Sequence, residues 1–297
     1  MKTFTKAVLC GLYKYSGAAR LHEALARRAG ASFMTVVLFH RVTDEVPPDG
    51  LTVTTAWFRR FCRMARRTFN VVPLAEIFRM LQRQETPPPR TLAITFDDSY
   101  RDNLCAARVL TEHALPACFF IPTGFVGTER VFPWDEGLPR LANLSWDEVR
   151  EMAALGHEIG SHTVSHPDLG QSSDDEVRRE LVESKRVLEE RLGRRVRWFA
   201  YPFGGPGHFR PECLPLMYEA GYEGCVSAID DFISTGTDYP IVPRYAAPPF
   251  RSVLNFEVHL RGCLEWLYDL KQRGEAKRAA RLADKAPAPV NHRLQRL

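Results

Sequence analysis

At 297 residues the chain is long enough for one large domain or two small ones, and its 45% apolar and 26% charged residues are those of an ordinary soluble globular protein. The net charge of +4 gathers at the two ends, and nothing between them interleaves basic with aromatic residues as a nucleic-acid surface would. No stretch approaches the roughly 20 apolar residues of a transmembrane helix.

Residues 3–28 carry Lys6, Lys14 and Arg20 near short apolar runs and read as a basic amphipathic helix, able to rest on a membrane surface or to pack on the domain. Lys14 breaks the first apolar run too early for a signal-peptide core. Seven scattered cysteines without a CxxC pair point to a reducing compartment. The location expected is therefore the cytoplasm or the cytoplasmic face of the membrane.

SFMTVVLFHRV, after Gly30, is a buried strand that finishes near His40. A Pro-Pro-Asp-Gly turn at 47–50 precedes a helix capped by Thr54 or Thr55, with Phe58, Cys62, Ala65 and Phe69 at helical spacing. VVPLAEIFRMLQR supplies a short strand and a second helix. TLAITF (91–96) is a buried strand ending at an acidic pair, followed by a helix over 101–113 and the strand ACFFIPT (117–123). The next twenty residues form a long loop containing Trp134 and Asp135. Ser145 and Glu148 make a capping box for the helix that Gly156 ends. HEIGSH is a strand and turn, and a charged helix runs from Asp174 to about Leu192. VRWFAYPFG is a strand, 212–220 a helix and GCVSAI a strand. Strands alternating with helices predict one α/β domain over 31–270 with a mostly parallel sheet. It would be flanked by the N-terminal helix (1–30) and a basic tail (271–297) with no sustained apolar period.

The polar residues that carry chemistry all follow apolar strands, and in parallel α/β folds the C-terminal strand ends form the active face. Asp97-Asp98 follows one such strand. His162 and His166 lie four residues apart beyond another. Together they offer two imidazoles, one carboxylate and a spare carboxylate, which is the make-up of a hydrolytic metal site with an open position.

TFDDS, HTVSH and YPFG, in this order and spacing, resemble the polysaccharide deacetylase superfamily (NodB homology, carbohydrate esterase family four) over residues 35–262. The resemblance implies a distorted (β/α)7 barrel that removes acetyl groups from N-acetylhexosamine units of a polysaccharide or glycan. It implies Asp97 as general base, Asp98, His162 and His166 as ligands of a divalent metal, and Tyr201, Pro202 and Phe203 beside the substrate, with Phe203 N–H completing an oxyanion hole. The donor set suits zinc, and cobalt, nickel, manganese or iron also fit. Trp134 and Asp135 are expected to stack on or hydrogen-bond a sugar ring.

Two departures stand out. The family's third motif opens with an Arg where this chain has Ala200, and Arg244 in IVPRY is the candidate to replace it. The Leu-x-His element that usually supplies the acid is missing, since His259 in FEVHLRG fits neither its pattern nor its place. VVLFHRV is similar to the Phe/Tyr-His element of the poly-N-acetylglucosamine deacetylase branch, which makes His40 the expected acid. Two further readings are a deacylase of a lipid-linked sugar at the cytoplasmic membrane face and a carbohydrate-binding protein without catalysis.

Overall fold

The computed structural model describes residues 33–234, 240–247 and 252–262, with Gly11, Tyr13 and residues 15–17 near the start. The expected N-terminal helix lies almost wholly, and the basic tail wholly, outside the described residues. Among those described, no helix is long and apolar enough to cross a membrane.

Strand β1 (Phe33–Phe39) is a run of β-branched and aromatic residues buried on both faces, the mark of a central parallel strand. Chain order then gives β2 (Arg41–Val42), β3 (Thr52–Val53), α1 (Thr55–Thr68), β4 (Asn70–Val71), α2 (Leu74–Gln82), β5 (Thr91–Phe96), α3 (Asp102–Glu112) and β6 (Cys118–Ile121). After a loop with one 3-10 turn at Pro133–Asp135 come α4 (Trp146–Ala154), β7 (Glu158–Ser161), α5 (Asp174–Leu192), β8 (Trp198–Ala200), α6 (Cys213–Glu219) and β9 (Gly224–Val226). The last elements are β10 (Ile233–Ser234), β11 (Tyr245–Ala246) and α7 (Val253–Leu260). Thr54 caps α1, and the expected capping box of Ser145 and Glu148 opens α4; a second, Ser173 with Glu176, opens α5.

The main sheet runs β10-β1-β5-β6-β7-β8-β9, parallel throughout except where β10 pairs antiparallel with β1. It curls into an incomplete barrel. A short segment spans the gap between the two flanks: Val242 bridges Val226 of β9, and Tyr245 and Ala246 pair with Val37 and Leu38 of β1. Phe39, Phe58, Phe61, Phe96 and Phe119 pack ring against ring where β1, β5 and β6 meet α1.

Register positions the chemistry. Strands β1 and β5 pair from Met34↔Thr91 to Phe39↔Phe96, so the next residues, His40 and Asp97, leave the sheet side by side. The β6–β7 pairing ends at Ile121↔Ser161, which delivers His162 to the same edge.

Candidate active site

Asp97 is buried, and both its oxygens are held by one guanidinium: Arg244 Nη1 donates to Oδ1 at 2.8 Å and Nη2 to Oδ2 at 2.7 Å. Arg244 is fully buried in the closing segment, with Nε donating to Ser227 O at 2.6 Å, Nη1 also reaching Thr95 Oγ1 at 3.2 Å, and its guanidinium over the Phe120 ring. A two-toothed pair of this kind fixes orientation as well as charge. Burial pushes the Asp97 carboxyl up, but Arg244 and then His162 outweigh it and hold it below the usual carboxylate range. Ala200, where the family motif has Arg, is instead a buried strand residue whose carbonyl accepts from His162.

Asp98, His162 and His166 each turn one donor atom toward a common point, all within 4.8 Å of one another. His162 Nε2 and His166 Nε2 stand 3.5 and 3.4 Å from Asp98 Oδ1. Those distances are long for N–H···O hydrogen bonds, which centre near about 2.9 Å. They match the edge of a tetrahedron: donors about 2.1 Å from a shared ion sit about 3.4 Å apart. His162 Nδ1 donates to Ala200 O at 2.8 Å, which leaves the Nε2 lone pair facing that point. Burial drives the His166 imidazole down to about 4, aided by His162, so it is neutral at pH 7. At His162 burial also lowers the pKa, yet Asp97 and Asp98 more than offset it, so a proton competes with a cation there. The residues present fit a divalent metal.

Backbone strain gathers at the same place. Asp98, Ser99, Thr163, His166 and Phe203 all adopt positive φ between 55° and 74°. Each such non-glycine residue costs roughly 1–3 kcal/mol and persists where its surroundings over-determine it.

His40 follows β1 with its carbonyl held by Asn103 Nδ2 at 2.8 Å. Its Nδ1 is buried without a hydrogen-bond partner, while the residue as a whole is partly open to solvent. Burial lowers its pKa more than Asp98 and Asp97 raise it, and Arg244 and His162 also act on it. Its ring therefore belongs to the same charged cluster. Next to Asn103, Asp102 accepts from Val42 N–H at 3.0 Å, and burial pushes its carboxyl from 3.8 up to about 7. The folded state thus keeps a proton that the unfolded chain loses between about pH 4 and 7, so this group costs stability as pH rises through that window, at up to about 1.4 kcal/mol per pH unit. Asp102→Asn is expected to gain stability relative to wild type from pH 5 to 7 in urea unfolding; a difference independent of pH would contradict the assignment.

The expected sugar-binding residues divide. Trp134, half-buried, and Phe203, 45% exposed, flank His166 with ring centroids 5.1 and 4.9 Å from it, each nearly perpendicular. They form an aromatic wall beside His166. Pro202 is buried. Asp135 does not face a ligand: Arg41 Nη1 takes one oxygen and the Tyr100 hydroxyl the other, both at 2.5 Å, so it pins the loop that carries Trp134. Tyr201 is likewise corrected. It is buried in the core, its ring against Phe199 and Phe209. Arg41 and Tyr100 were not foreseen; Tyr100 also accepts from Trp134 Nε1 at 3.0 Å, and Arg41 reaches on to Asp49.

With this geometry in view, the family model for polysaccharide deacetylases matches residues 84–225. This part of the chain belongs to the polysaccharide deacetylase family. The match includes Asp97, Asp98, His162 and His166 but neither His40 nor Arg244, which the fold brings in from outside it. The deacetylase domain is 32% identical over 102 residues to a chitooligosaccharide deacetylase of Bradyrhizobium, covering 33% of this chain and 39% of that protein. It is 28% identical over 116 residues to a peptidoglycan-N-acetylglucosamine deacetylase of Bacillus cereus, covering 38% and 36%. The matched stretches span less than half the length of these curated relatives. Among solved structures, the Streptococcus pyogenes deacetylase PplD in complex with acetate superposes with a TM-score of 0.65 at 24% identity, over 76% of this chain and 97% of that one. IcaB from Ammonifex degensii gives 0.61 at 24% identity over 73% and 93%. At these identities the likeness is one of fold, and it is the NodB-homology fold expected from the motifs.

Proposed function

We propose that the chain is a metal-dependent hydrolase that removes N-acetyl groups from N-acetylhexosamine units of a polysaccharide or glycan. The observation that carries the reading is the pairing of a three-donor cluster, whose two imidazoles stand 3.5 and 3.4 Å from Asp98, with Asp97, a buried carboxylate kept ionised by Arg244. The names of the relatives, which act on chitooligosaccharide and on peptidoglycan N-acetylglucosamine, support the substrate class.

Asp98, His162 and His166 would hold the metal, zinc being the ion the donor set suits best; when bound, it supplies polarisation of the acetamide carbonyl and a lowered pKa for attacking water. Asp97 takes the proton from that water, and Arg244 keeps it charged and aimed. Phe203, whose left-handed backbone stands beside His166, offers its N–H to the developing oxyanion. His40 protonates the leaving amine, since an amide anion is too basic to depart unaided. Burial weakens its hold on a proton, which makes its imidazolium the stronger acid. Trp134 and Phe203 give a sugar ring an apolar face to rest on.

Acetate release from chitooligosaccharides and poly-N-acetylglucosamine, with and without added divalent metal, tests this. Release by the metal-loaded chain is expected. None from any N-acylated sugar by folded, metal-loaded protein would favour a non-catalytic carbohydrate-binding role instead. His40→Ala is expected to keep metal binding and lose roughly 10²–10⁴-fold in deacetylation rate, while sparing hydrolysis of an aryl acetate, whose phenolate leaves without an acid. Equal losses on both substrates, or near-normal deacetylation, would remove His40 from the acid role.

A further inference from the structure

The turn that carries both histidine ligands is held from three sides. From the helix side, Glu180 of α5 accepts the Val164 N–H at 2.7 Å, the Ser165 N–H at 3.0 Å and the Ser165 hydroxyl at 2.6 Å. From the sheet side, Thr123 N–H donates to Thr163 O at 3.0 Å and Gly124 N–H to Val164 O at 2.8 Å. That approach leaves no room at 124 for a side chain, whose Cβ would stand 2.7 Å from Val164 O. Within the turn, the Thr163 hydroxyl accepts from His166 N–H at 3.0 Å. Thr163 and His166, both at positive φ, sit in a conformation that a free turn of this sequence would abandon.

Glu180 reaches the turn because of how α5 is seated. Val177, Leu181, Ser184 and Leu188 form its buried stripe. Ser161 Oγ, at the end of β7 and one residue before His162, donates to Ser184 Oγ at 2.8 Å. This locks the helix to the strand that delivers the first ligand. Glu180 borders that stripe and faces the two residues between the ligands.

We propose that Glu180 is a positioning residue for the metal site. Its carboxylate fixes Val164–Ser165 so that the His162 and His166 Nε2 atoms meet at one point. The inference rests on the metal reading above. Charge-assisted bonds to an anion are about twice as strong as neutral ones, and one Glu180 oxygen takes both N–H donors while the other meets the Ser165 hydroxyl. Glutamine could keep its oxygen on the two N–H donors and turn its NH₂ to the Ser165 hydroxyl, which then accepts, so it removes the charge while alanine removes the contacts.

The test uses the full chain stripped of metal, with zinc affinity read by competition against a chromophoric chelator and ligand geometry by the visible spectrum of the cobalt form. Glu180→Ala is expected to weaken zinc binding about 10–100-fold and to alter the cobalt spectrum, and Glu180→Gln, which can keep the three contacts without the charge, to do so less. Ser165→Ala, which removes one donor of the three, is expected to weaken it by about 2–10-fold. A scaffolding role alone would lower the melting temperature of the metal-free protein and leave zinc affinity and the cobalt spectrum at wild-type values; that result overturns the proposal. Should the Glu180 variants not fold, wild-type zinc affinity and cobalt spectrum in Ser165→Ala overturn it. A wild-type chain that takes no zinc overturns the metal reading first, before any variant is compared.

Discussion

Asp97→Asn is expected to lower deacetylation by about 10²–10⁴-fold while leaving the affinity for zinc close to that of wild type. Asp97 contributes no donor to the cation site: Arg244 occupies both its oxygens at 2.7–2.8 Å, and its nearer approach to His162 Nε2 is 3.8 Å. The substitution keeps the shape and removes the basicity. Asp98→Asn, one residue away, is expected to do the reverse first and lose the metal, because Asp98 Oδ1 is the atom that both imidazoles face. Parallel zinc titrations and rate measurements on the two variants separate a base from a ligand. If both lose zinc equally, the division of labour between the two carboxylates is wrong.

Arg244→Ala should be the costlier change for the protein itself. It removes the guanidinium bonded to both oxygens of a carboxylate that is 3% exposed, and breaking one side of a buried pair typically costs about 3–5 kcal/mol. It also frees Asp97 to rise toward its burial-dominated pKa, so the rate should fall and its acid limb should move to higher pH. The sign follows from the pair: Arg244 is the largest influence lowering the Asp97 pKa, and burial is the one raising it. The double variant Arg244→Met, Asp97→Asn removes the charges together and is expected to recover much of the lost stability without recovering the rate. Urea unfolding of the three variants checks the first part. Single-variant stability equal to wild type would mean that the pair is not what holds the closing segment.

The features legible in the sequence were those that one element carries alone. TLAITF and VVLFHRV each announce a buried strand with a polar residue at its end, but that Asp97 and His40 are neighbours comes from the register of β1 with β5, which neither strand shows alone. The capping box at Ser145 and the span of α5 followed from local chemistry. What one element cannot carry was lost. Asp135 reads as a free loop acid until Arg41, 94 residues earlier, is brought against it. Tyr201 sits in a motif beside the ligands, yet strand alternation turns its ring to the core side. Helix α7 went unseen because Asn255–Leu260 is buried all round and so shows no apolar face against a polar one. Glu180 was one acid among many in a charged helix. Nothing local distinguishes it until the turn between His162 and His166 is folded above it. Arg244 lies between these cases: the loss of Arg at Ala200 signalled that a guanidinium was needed, but only the segment between β9 and β1 shows how one arrives.

In the proposed function Asp98, His162 and His166 hold one metal ion, and Asp97 is the base beside it. Zinc reconstitution of the chelator-stripped chain tests it most directly, with acetate release from an N-acetylglucosamine oligomer followed at each addition. The expected result is negligible release without zinc, a rise in proportion to zinc bound, and saturation at about one ion per chain, as a single three-donor site requires. Full release from the stripped chain, or zinc bound at wild-type affinity after His166→Ala, would contradict it.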